Sequence, residues 1–392
     1  MLDSFFQTHK YLIEHINAPV RRRLMDEIDW NDRLIAIKGS RGVGKTTFLL
    51  QYAQEKFGLA RTCLYINFNN LYFTDHSFLD FVEVFVKEGG RTLLLDQMFK
   101  YPDWSKELRE CYYLYPNLHI VFSASPVMRL TEENPDLNGL VKMYNLRGFS
   151  FREYLNMQAG TSFPAYSLDE ILSNHQELTR LICEKVHPLW YFQDYLHYGF
   201  YPFYLENRHY VENLLKTINM MLEVDILMIR MIDVAYLTKI KQLLHIILTE
   251  APCSLNVSAL SEHINMSRAT TMNYIKYLKD ARLLNLLYLE GKQWPAKPNK
   301  VYIQNPNIAC AVSERKVSGQ HLAETFFYNA LHGNHKINAT ERNALFVIDG
   351  KHYFDVFDKQ PAKPTIRLTA VGNTEQTGQP NQIPLWLFGF LY

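Results

Sequence analysis

A glycine-rich segment at 39–47 carries the clearest chemistry in this sequence. It reads GSRGVGKTT and fits the spacing GxxxxGK[ST], in which glycines let successive backbone N–H groups point into one phosphate-holding concavity. Lys45 is expected to reach the β- and γ-phosphates, and the Thr46 hydroxyl is expected to bind Mg²⁺. The pattern therefore predicts a site for a purine nucleoside triphosphate, ATP with Mg²⁺. The residues predicted to contact it are Gly39, Ser40, Arg41, Gly42, Val43, Gly44, Lys45, Thr46 and Thr47.

An acidic side chain ends the apolar run 92–96. Asp96 stands where a carboxylate can hold the Mg²⁺ shell together with Thr46. Gln97 follows, at a position where a glutamate would polarise the attacking water. A carboxamide can hydrogen-bond that water but cannot accept its proton, so ATP binding with slow hydrolysis is predicted. The sequence is equally consistent with Gln97 as the natural residue and with Gln97 as an engineered replacement of glutamate.

Two serines close the apolar run 119–125. Ser125 is a candidate catalytic residue, with Ser123 as its neighbour, because a hydroxyl here could contact the γ-phosphate or orient water. Both serines fit equally well as residues that only end a strand. An arginine from this chain or a neighbouring subunit could stabilise charge on the transferring phosphate, although each candidate also fits a surface ion pair. The candidates are Arg129, Arg147 and Arg152.

The first part of the chain has the pattern of an α/β fold. Short apolar runs alternate with amphipathic helical stretches, which indicates a parallel sheet covered on both faces. The glycine-rich loop lies between one such run and a helix, the context that this motif requires. The runs predicted to be strands are 33–39, 62–68, 92–96, 119–125 and 141–146.

The rest of the chain divides into regions of different character. Residues 1–150 are expected to form the P-loop core, and 151–236 have helical periodicity typical of a lid or subdomain. Residues 237–305 read as three helices followed by a β-hairpin, the pattern of a winged helix-turn-helix. Residues 306–392 contain a predicted helix at 320–333, continue with strand-like segments, and end in an apolar run expected to be a buried terminal strand.

The third helix of 237–305 offers polar side chains for double-stranded DNA. Ser267 is a plausible N-cap, and arginine, threonine and asparagine near a helix N-terminus can enter a major groove while lysines contact phosphates. A protein-interaction or lid module with a solvated polar face explains the same pattern. The candidate DNA-binding residues are Arg268, Thr270, Thr271, Asn273 and Lys276, with Lys292, Lys297 and Lys300 near the wing.

The sequence resembles prokaryotic AAA+ ATPases that carry a winged helix and a restriction-endonuclease-like C-terminal domain. The runs GSRGVGKTTFLLQ, LLLDQMFKYPDWSKELRECYYLYPNLHIVFSAS and LRGFSFREYL carry the resemblance, which extends through KVYIQN and IPLWLFGFLY. It implies a P-loop parallel sheet, a helical lid, a winged helix and a small α+β nuclease-like domain, in a chain that forms homo-oligomers. Gln97 departs from the family's usual glutamate. Residues 137–140 lack the arginine that relatives often have there.

The same resemblance implies a nuclease site in 306–392, where acidic residues and a lysine would bind a divalent metal that activates water. Glu324, Asp355 and Lys359 match positions of that set. Asn343 stands near an expected aspartate, and a neutral amide cannot supply the metal's charge balance. The domain is therefore expected to be degenerate, and nuclease activity is not expected.

Composition excludes several classes of protein. The 392 residues have a formal net charge of +1, so any DNA binding must use a local patch. The five cysteines form no CxxC pair, and no apolar run approaches 18 residues, so a cytoplasmic protein without a membrane span is expected. Three functions stay open: an ATP-dependent machine or switch acting on DNA, an ATP-gated nuclease, and a nucleotide-sensing protein-interaction scaffold.

Overall fold

The computed structural model describes residues 2–206, 209–312, 317–342, 344–361, 366–377 and 379–392. The chain forms two compact units, Met1–Arg147 and Gly148–Tyr392. The expected boundaries after residues 236 and 305 both fall within the second unit. None of the described helices combines the length and apolar character that a bilayer span needs.

The first unit is built on a five-stranded, fully parallel sheet, which confirms the predicted α/β architecture. Four of its strands are almost entirely buried and apolar, as expected when helices cover both faces. The strands are β1 (Leu34–Lys38), β2 (Cys63–Asn67), β3 (Thr92–Asp96), β4 (His119–Ala124) and β5 (Lys142–Asn145), in the order β2-β3-β4-β1-β5. The helices are α1 (Leu2–His15), α2 (Leu24–Glu27), α3 (Lys45–Lys56), α4 (Tyr72–Asp75), α5 (Phe78–Lys87) and α6 (Trp104–Leu114).

Helix α1 covers the edge strand β2. Its buried residues Leu2, Phe5, His9 and Ile13 recur at helical spacing and form one face. The His9 Nδ1 atom accepts a hydrogen bond from the backbone N–H of Tyr65 at 3.0 Å. Burial lowers the pKa of His9 to about 4, so the ring is neutral near pH 7 and Nδ1 is free to accept. This bond satisfies an N–H on the outer edge of the sheet.

The second unit begins with helices only, as its periodicity predicts. Helices α7 and α8 each start with a capping box, in which Ser150 pairs with Glu153 and Ser167 with Glu170. Two stretches, Tyr195–Gly199 and Met221–Met228, are π-helical. The α-helices of the unit are α7 (Phe151–Ala159), α8 (Leu168–Cys183), α9 (Pro188–Asp194), α10 (Tyr210–Met220), α11 (Leu237–Glu250), α12 (Val257–His263), α13 (Arg268–Asp280), α14 (Pro306–Val312) and α15 (Gly319–Leu331).

Helices α11, α12 and α13 are followed by a two-stranded antiparallel sheet of β6 (Leu284–Leu287) and β7 (Lys300–Ile303). Ser267 is the N-cap of α13, where its hydroxyl accepts a hydrogen bond from the Thr270 N–H. The sequence predicts the same order of elements, three helices followed by a hairpin, for residues 237–305. The segment between β6 and β7 is called the wing.

A mixed sheet with the order β12-β11-β10-β9-β8 closes the chain. Strands β10, β11 and β12 are parallel, and α15 packs on the sheet through Phe327, whose ring centroid lies 5.2 Å from that of Phe354 and 4.8 Å from that of Phe388. The strands are β8 (Ile337–Asn338), β9 (Phe346–Ile348), β10 (His352–Phe357), β11 (Leu368–Val371) and β12 (Gln382–Pro384).

The prediction of a terminal strand is wrong for most of its length. Only Gln382–Pro384 is a strand, and Leu385–Phe390 forms a 3₁₀ helix that is buried throughout. A run that is apolar at every position has no periodicity, so its pattern cannot separate a buried strand from a buried helical turn.

Candidate functional site

The glycine-rich loop follows β1 and leads into α3 at Lys45, as the motif requires. Gly42 and Gly44 have φ angles of 79° and 89°, in the left-handed region that glycine adopts without steric cost. A Cβ on Gly39 would lie 2.5 Å from the carbonyl oxygen of Leu146. The backbone path of the loop therefore requires glycine at these three positions.

Lys45 is held against the loop that it follows. Its Nζ atom donates to the carbonyl oxygens of Gly39 at 2.6 Å and Ser40 at 2.9 Å. The ammonium group thus lies beside the loop backbone at the N-terminus of α3, where the helix dipole also favours an anion. The arrangement places one mobile positive charge and a helix N-terminus at the same loop.

Three hydroxyl groups converge on Asp96 at the carboxyl end of β3. Thr46 Oγ1 donates to Oδ2 at 2.5 Å, the Tyr65 hydroxyl donates to Oδ2 at 2.9 Å, and Ser123 donates to Oδ1. Asp96 is only 2% exposed, so these donors replace the water that an ionised carboxylate would otherwise bind. The structure therefore brings together the two predicted metal ligands, Thr46 and Asp96, from segments 50 positions apart.

The chemistry of this oxygen cluster fits magnesium. Mg²⁺ is commonly bound in nucleotide sites by one or two protein oxygens together with substrate phosphates and water. Within the described ranges, no group of three or more His, Cys, Asp or Glu side chains is placed to hold a metal by itself. Thr46 and Asp96 would thus hold the ion jointly with the phosphates of a nucleotide.

Gln97 and the two serines lie at the same edge of the sheet. Gln97 has φ 58°, and its backbone N–H donates to Ser123 Oγ at 3.0 Å. The Gln97 carboxamide is half-buried and makes no hydrogen bond to a described residue. Ser125 is 4% exposed, and its Oγ has no hydrogen-bond partner among the described residues. Ser123 thus supports Asp96 and Gln97, while Ser125 keeps an unused hydroxyl.

Two residues of the site are outside both sequence motifs. Tyr65 lies on β2, and Arg22 precedes the sheet in the run Arg21–Arg23. The buried Arg22 guanidinium donates from Nη1 to the Val43 carbonyl oxygen at 3.3 Å and from Nη2 to that of Arg147 at 2.7 Å. It therefore fixes the glycine-rich loop to the last residue of the first unit. Neither the arginine run nor the apolar sequence of β2 indicates that Arg22 or Tyr65 contacts the site.

The candidate arginines have other partners in this chain. Arg129 lies 3.6 Å from Glu132 and 3.8 Å from Glu133 on the surface. Arg152 donates from Nε to the Tyr392 carbonyl oxygen at 3.1 Å within the second unit. The backbone carbonyl oxygen of Arg147 accepts a hydrogen bond from Arg22.

Helix α13 exposes only part of the predicted DNA-binding set. Arg268 and Asn273 are exposed, and Thr270 is half-buried with its Oγ1 atom 2.8 Å from Ser267 Oγ. The Lys276 ammonium lies 5.1 Å from the centre of the Trp294 ring, which belongs to the wing between β6 and β7. The helix and the wing thus share one basic, aromatic surface.

Thr271 and Lys300 require correction. Thr271 is fully buried, donates to the Ser267 carbonyl oxygen at 3.0 Å and accepts from Ser261 at 3.1 Å, so it cannot contact DNA. Lys300 lies 3.3 Å from the Glu324 carboxylate and therefore pairs inside the unit.

The candidate nuclease residues have separate partners. Glu324 is 7% exposed and accepts hydrogen bonds from Tyr302, Lys300 and Gln320 at 3.0, 3.3 and 3.0 Å. Asp355 accepts from the Leu345 N–H at 3.2 Å and lies 3.7 Å from Arg367.

Lys359 lines a cavity of about 570 Å³ beside Asp358. Among the described residues, no hydrogen bond or ion pair joins Glu324, Asp355 and Lys359 to one another. Asn343 lies outside the described residues.

Comparison with known proteins identifies two regions of the chain. Residues 31–155 match the family model described as "AAA domain". Residues 189–318 match a domain of unknown function, DUF8612. A comparison with curated proteins found no match.

Several solved structures are similar to the chain. Orc1 of Aeropyrum pernix in complex with DNA is 11% identical with a TM-score of 0.32, covering 78% of this chain and 91% of that chain. A RuvB variant of Thermotoga maritima is 13% identical with a TM-score of 0.27, covering 73% and 89%. AMPPCP-bound DnaA of Aquifex aeolicus is 14% identical with a TM-score of 0.22, covering 70% and 86%. TM-scores this low carry no argument about function.

Proposed function

We propose that the AAA domain of this chain binds ATP with Mg²⁺ and that the chain acts as an ATP-dependent machine or switch on double-stranded DNA. The observation that carries the proposal is the contact between Thr46 of the glycine-rich loop and the buried Asp96. A chance glycine-rich turn would not require a buried carboxylate at the end of a neighbouring strand. The pair supplies the oxygen ligands that a magnesium–nucleotide complex needs.

Each residue of the loop has a physical role in this proposal. The backbone N–H groups of 39–47 and the N-terminus of α3 attract the phosphates, and Lys45 can exchange its two loop carbonyls for phosphate oxygens. Thr46 and Asp96 would hold Mg²⁺, which would supply positive charge to the phosphates. Arg22 holds the loop through Val43, so that the concavity is formed before nucleotide binds.

We further propose that hydrolysis is slow because Gln97 stands at the position expected for the base. Its backbone is fixed by Ser123, and its half-buried carboxamide has no described partner, so the amide is available to orient a water. An amide cannot accept the proton that this water must lose. Ser125 is proposed to contact the γ-phosphate, since its buried hydroxyl has no other described partner.

DNA binding is proposed for α13 and the wing. Arg268 and Asn273 are exposed near the start of the helix, and Lys276 lies over Trp294 of the wing. A local surface of this kind is needed because the net charge of +1 gives no general attraction to phosphate. Arg129 and Arg152 already have other partners in this chain. We therefore propose a homo-oligomer in which a neighbouring subunit supplies the arginine that stabilises charge on the transferring phosphate.

A second function is favoured by Gln97 itself. A chain that binds ATP and scarcely hydrolyses it would serve as a nucleotide-sensing scaffold that recruits partners through the winged helix. A nuclease is not proposed, since Asn343 supplies no carboxylate and, among the described residues, no group of three or more His, Cys, Asp or Glu side chains could hold a metal.

ATP binding and turnover, each measured with and without double-stranded DNA, test these functions. The proposal predicts Mg²⁺-dependent ATP binding and slow turnover that DNA stimulates. Binding without any response to DNA would support the scaffold, and an absence of ATP binding would contradict both functions. Intact plasmid after incubation with Mg²⁺ or Mn²⁺ is expected, and cleavage would reinstate the nuclease.

A further inference from the structure

Tyr65 contacts the candidate magnesium ligand from a strand that carries neither sequence motif. Its side chain is 4% exposed, and its hydroxyl donates to Asp96 Oδ2 at 2.9 Å. The tyrosine is thus a buried hydrogen-bond donor to one oxygen of the carboxylate.

The backbone of Tyr65 is fixed on both sides. Strand β2 pairs in parallel with β3, with Tyr65 opposite Leu94. On the outer side of the strand, His9 of α1 accepts the Tyr65 N–H at 3.0 Å. A phenol on a backbone held in this way has little freedom to follow a moving carboxylate. The Tyr65 hydroxyl therefore holds the Asp96 carboxylate in one orientation.

The three donors to Asp96 are not equivalent. Ser123 donates to Oδ1, whereas Thr46 and Tyr65 share Oδ2. Thr46 is itself the proposed magnesium ligand, so its hydroxyl oxygen would be shared between the metal and Oδ2. Without Tyr65, Oδ2 would keep only this one donor among the described residues. The orientation of the carboxylate towards the metal would then depend on Thr46 alone.

We infer that Tyr65 is a positioning residue that orients Asp96 for magnesium and thereby sets how much Mg²⁺ the site requires to bind ATP. The inference rests on the proposed function of the Thr46–Asp96 pair. Partners of metal ligands orient those ligands, and their removal typically weakens metal affinity by about 10- to 100-fold. The expected effect is therefore on the metal rather than on the phosphate cradle.

Tyr65→Phe tests the inference, because it removes one oxygen and leaves the ring in place. Binding of a fluorescent ATP analogue is titrated without divalent metal and then with increasing Mg²⁺. The Mg²⁺ concentration for half-maximal enhancement is expected to rise about 10-fold or more. The affinity without metal is expected to stay within about twofold, because the loop and Lys45 are unchanged.

Tyr52→Phe is the matched control. Tyr52 is 8% exposed in the same unit, stacks on Trp30 with a centroid distance of 3.6 Å, and its hydroxyl bonds no described residue. The Mg²⁺ requirement of Tyr52→Phe should equal that of the wild type, which separates loss of a tyrosine hydroxyl in this unit from loss of the bond to Asp96. Thermal unfolding of both variants without nucleotide checks that they are folded.

The possible outcomes are distinct. Wild-type protein that shows no Mg²⁺-dependent binding overturns the proposed function, and the inference with it. Wild-type protein that shows such binding, with the same Mg²⁺ requirement in Tyr65→Phe, overturns the inference alone. Equal losses with and without metal would also overturn it, because they would assign Tyr65 a general structural role. A selective rise in the Mg²⁺ requirement supports it.

Discussion

Replacement of Gln97 by glutamate isolates the chemistry of the water-activating position. The two side chains are nearly the same size, and the Gln97 carboxamide has no described partner to lose. The φ angle of 58° and the N–H bond to Ser123 belong to the backbone, which the substitution leaves unchanged. Gln97→Glu therefore changes the ability to accept a proton and little else in the described structure.

The expected magnitude follows from general base catalysis, which contributes about 10²- to 10⁴-fold to a rate. Because no described residue bonds the side chain at position 97 and would orient the new carboxylate, we expect the lower end, a rise in kcat of about 100-fold. ATP affinity should change by only about threefold, since the loop and Lys45 are unaltered.

Steady-state phosphate release under saturating ATP and Mg²⁺ measures the effect. Gln97→Ala is the matched control, because it removes the water-orienting amide without supplying a base, and its kcat should fall below that of the wild type. If Gln97→Glu binds ATP normally and its kcat stays at the wild-type value, the missing base is not what slows this chain. The reasoning about Gln97 would then be refuted.

Three further outcomes are expected. Gly39→Ala should weaken ATP binding by about 10-fold or more, because its Cβ would lie 2.5 Å from a backbone oxygen. Gly139→Ala, which is strained by its φ of 74° but has open space around its Cβ, should lower stability and leave ATP binding unchanged in the same titration. The lowered pKa of His9, about 4 against an ordinary 6.5, means that the unfolded chain binds more protons between these values; its contribution to stability is present above pH 6.5 and lost as the pH falls towards 4. His9→Asn keeps a hydrogen-bond acceptor that does not titrate, so its melting temperature should fall less than that of the wild type between pH 6.5 and 4. An equal fall in both proteins would contradict His9 as the cause. Arg268→Ala combined with Lys276→Ala should weaken duplex DNA binding by about 10-fold and reduce its salt dependence, and an unchanged binding curve would remove α13 from the DNA interface.

The parallel sheet and the phosphate loop were predictable because both are local patterns. Each buried strand is a short apolar run, and the loop is defined by glycine and lysine at fixed spacing. The placement of Asp96 followed for the same reason, since it directly ends the run that forms β3.

The supports of the site could not be predicted, because they join distant positions. Tyr65 meets Asp96 across two strands, His9 meets Tyr65 from the first helix, and Arg22 reaches the loop from a segment before the sheet. A tyrosine in an apolar strand carries no signal that separates a core residue from a hydrogen-bond donor. Tyr65 and Asp96 become neighbours only because β2 and β3 lie side by side in the sheet.

Thr271 shows a different limit of sequence reasoning. Threonine near the start of a polar helix looks exposed, yet its hydroxyl bonds the Ser267 carbonyl four residues earlier and its side chain faces Ser261 of the preceding helix. A small polar residue whose hydrogen bonds are met locally can be buried without cost, so its type does not reveal its face.

Affinity for ATP in Lys45→Ala, compared with Lys56→Ala, tests the central claim most directly. Lys56 lies on the same helix α3 and is exposed at its end, so it controls for the loss of one positive charge. Calorimetric titration with Mg²⁺ present should show ATP affinity about 10- to 100-fold lower in Lys45→Ala, as expected for loss of a charged hydrogen bond, and wild-type affinity in Lys56→Ala. Wild-type affinity in Lys45→Ala, or no ATP binding by the unaltered chain, would contradict a triphosphate site at the glycine-rich loop.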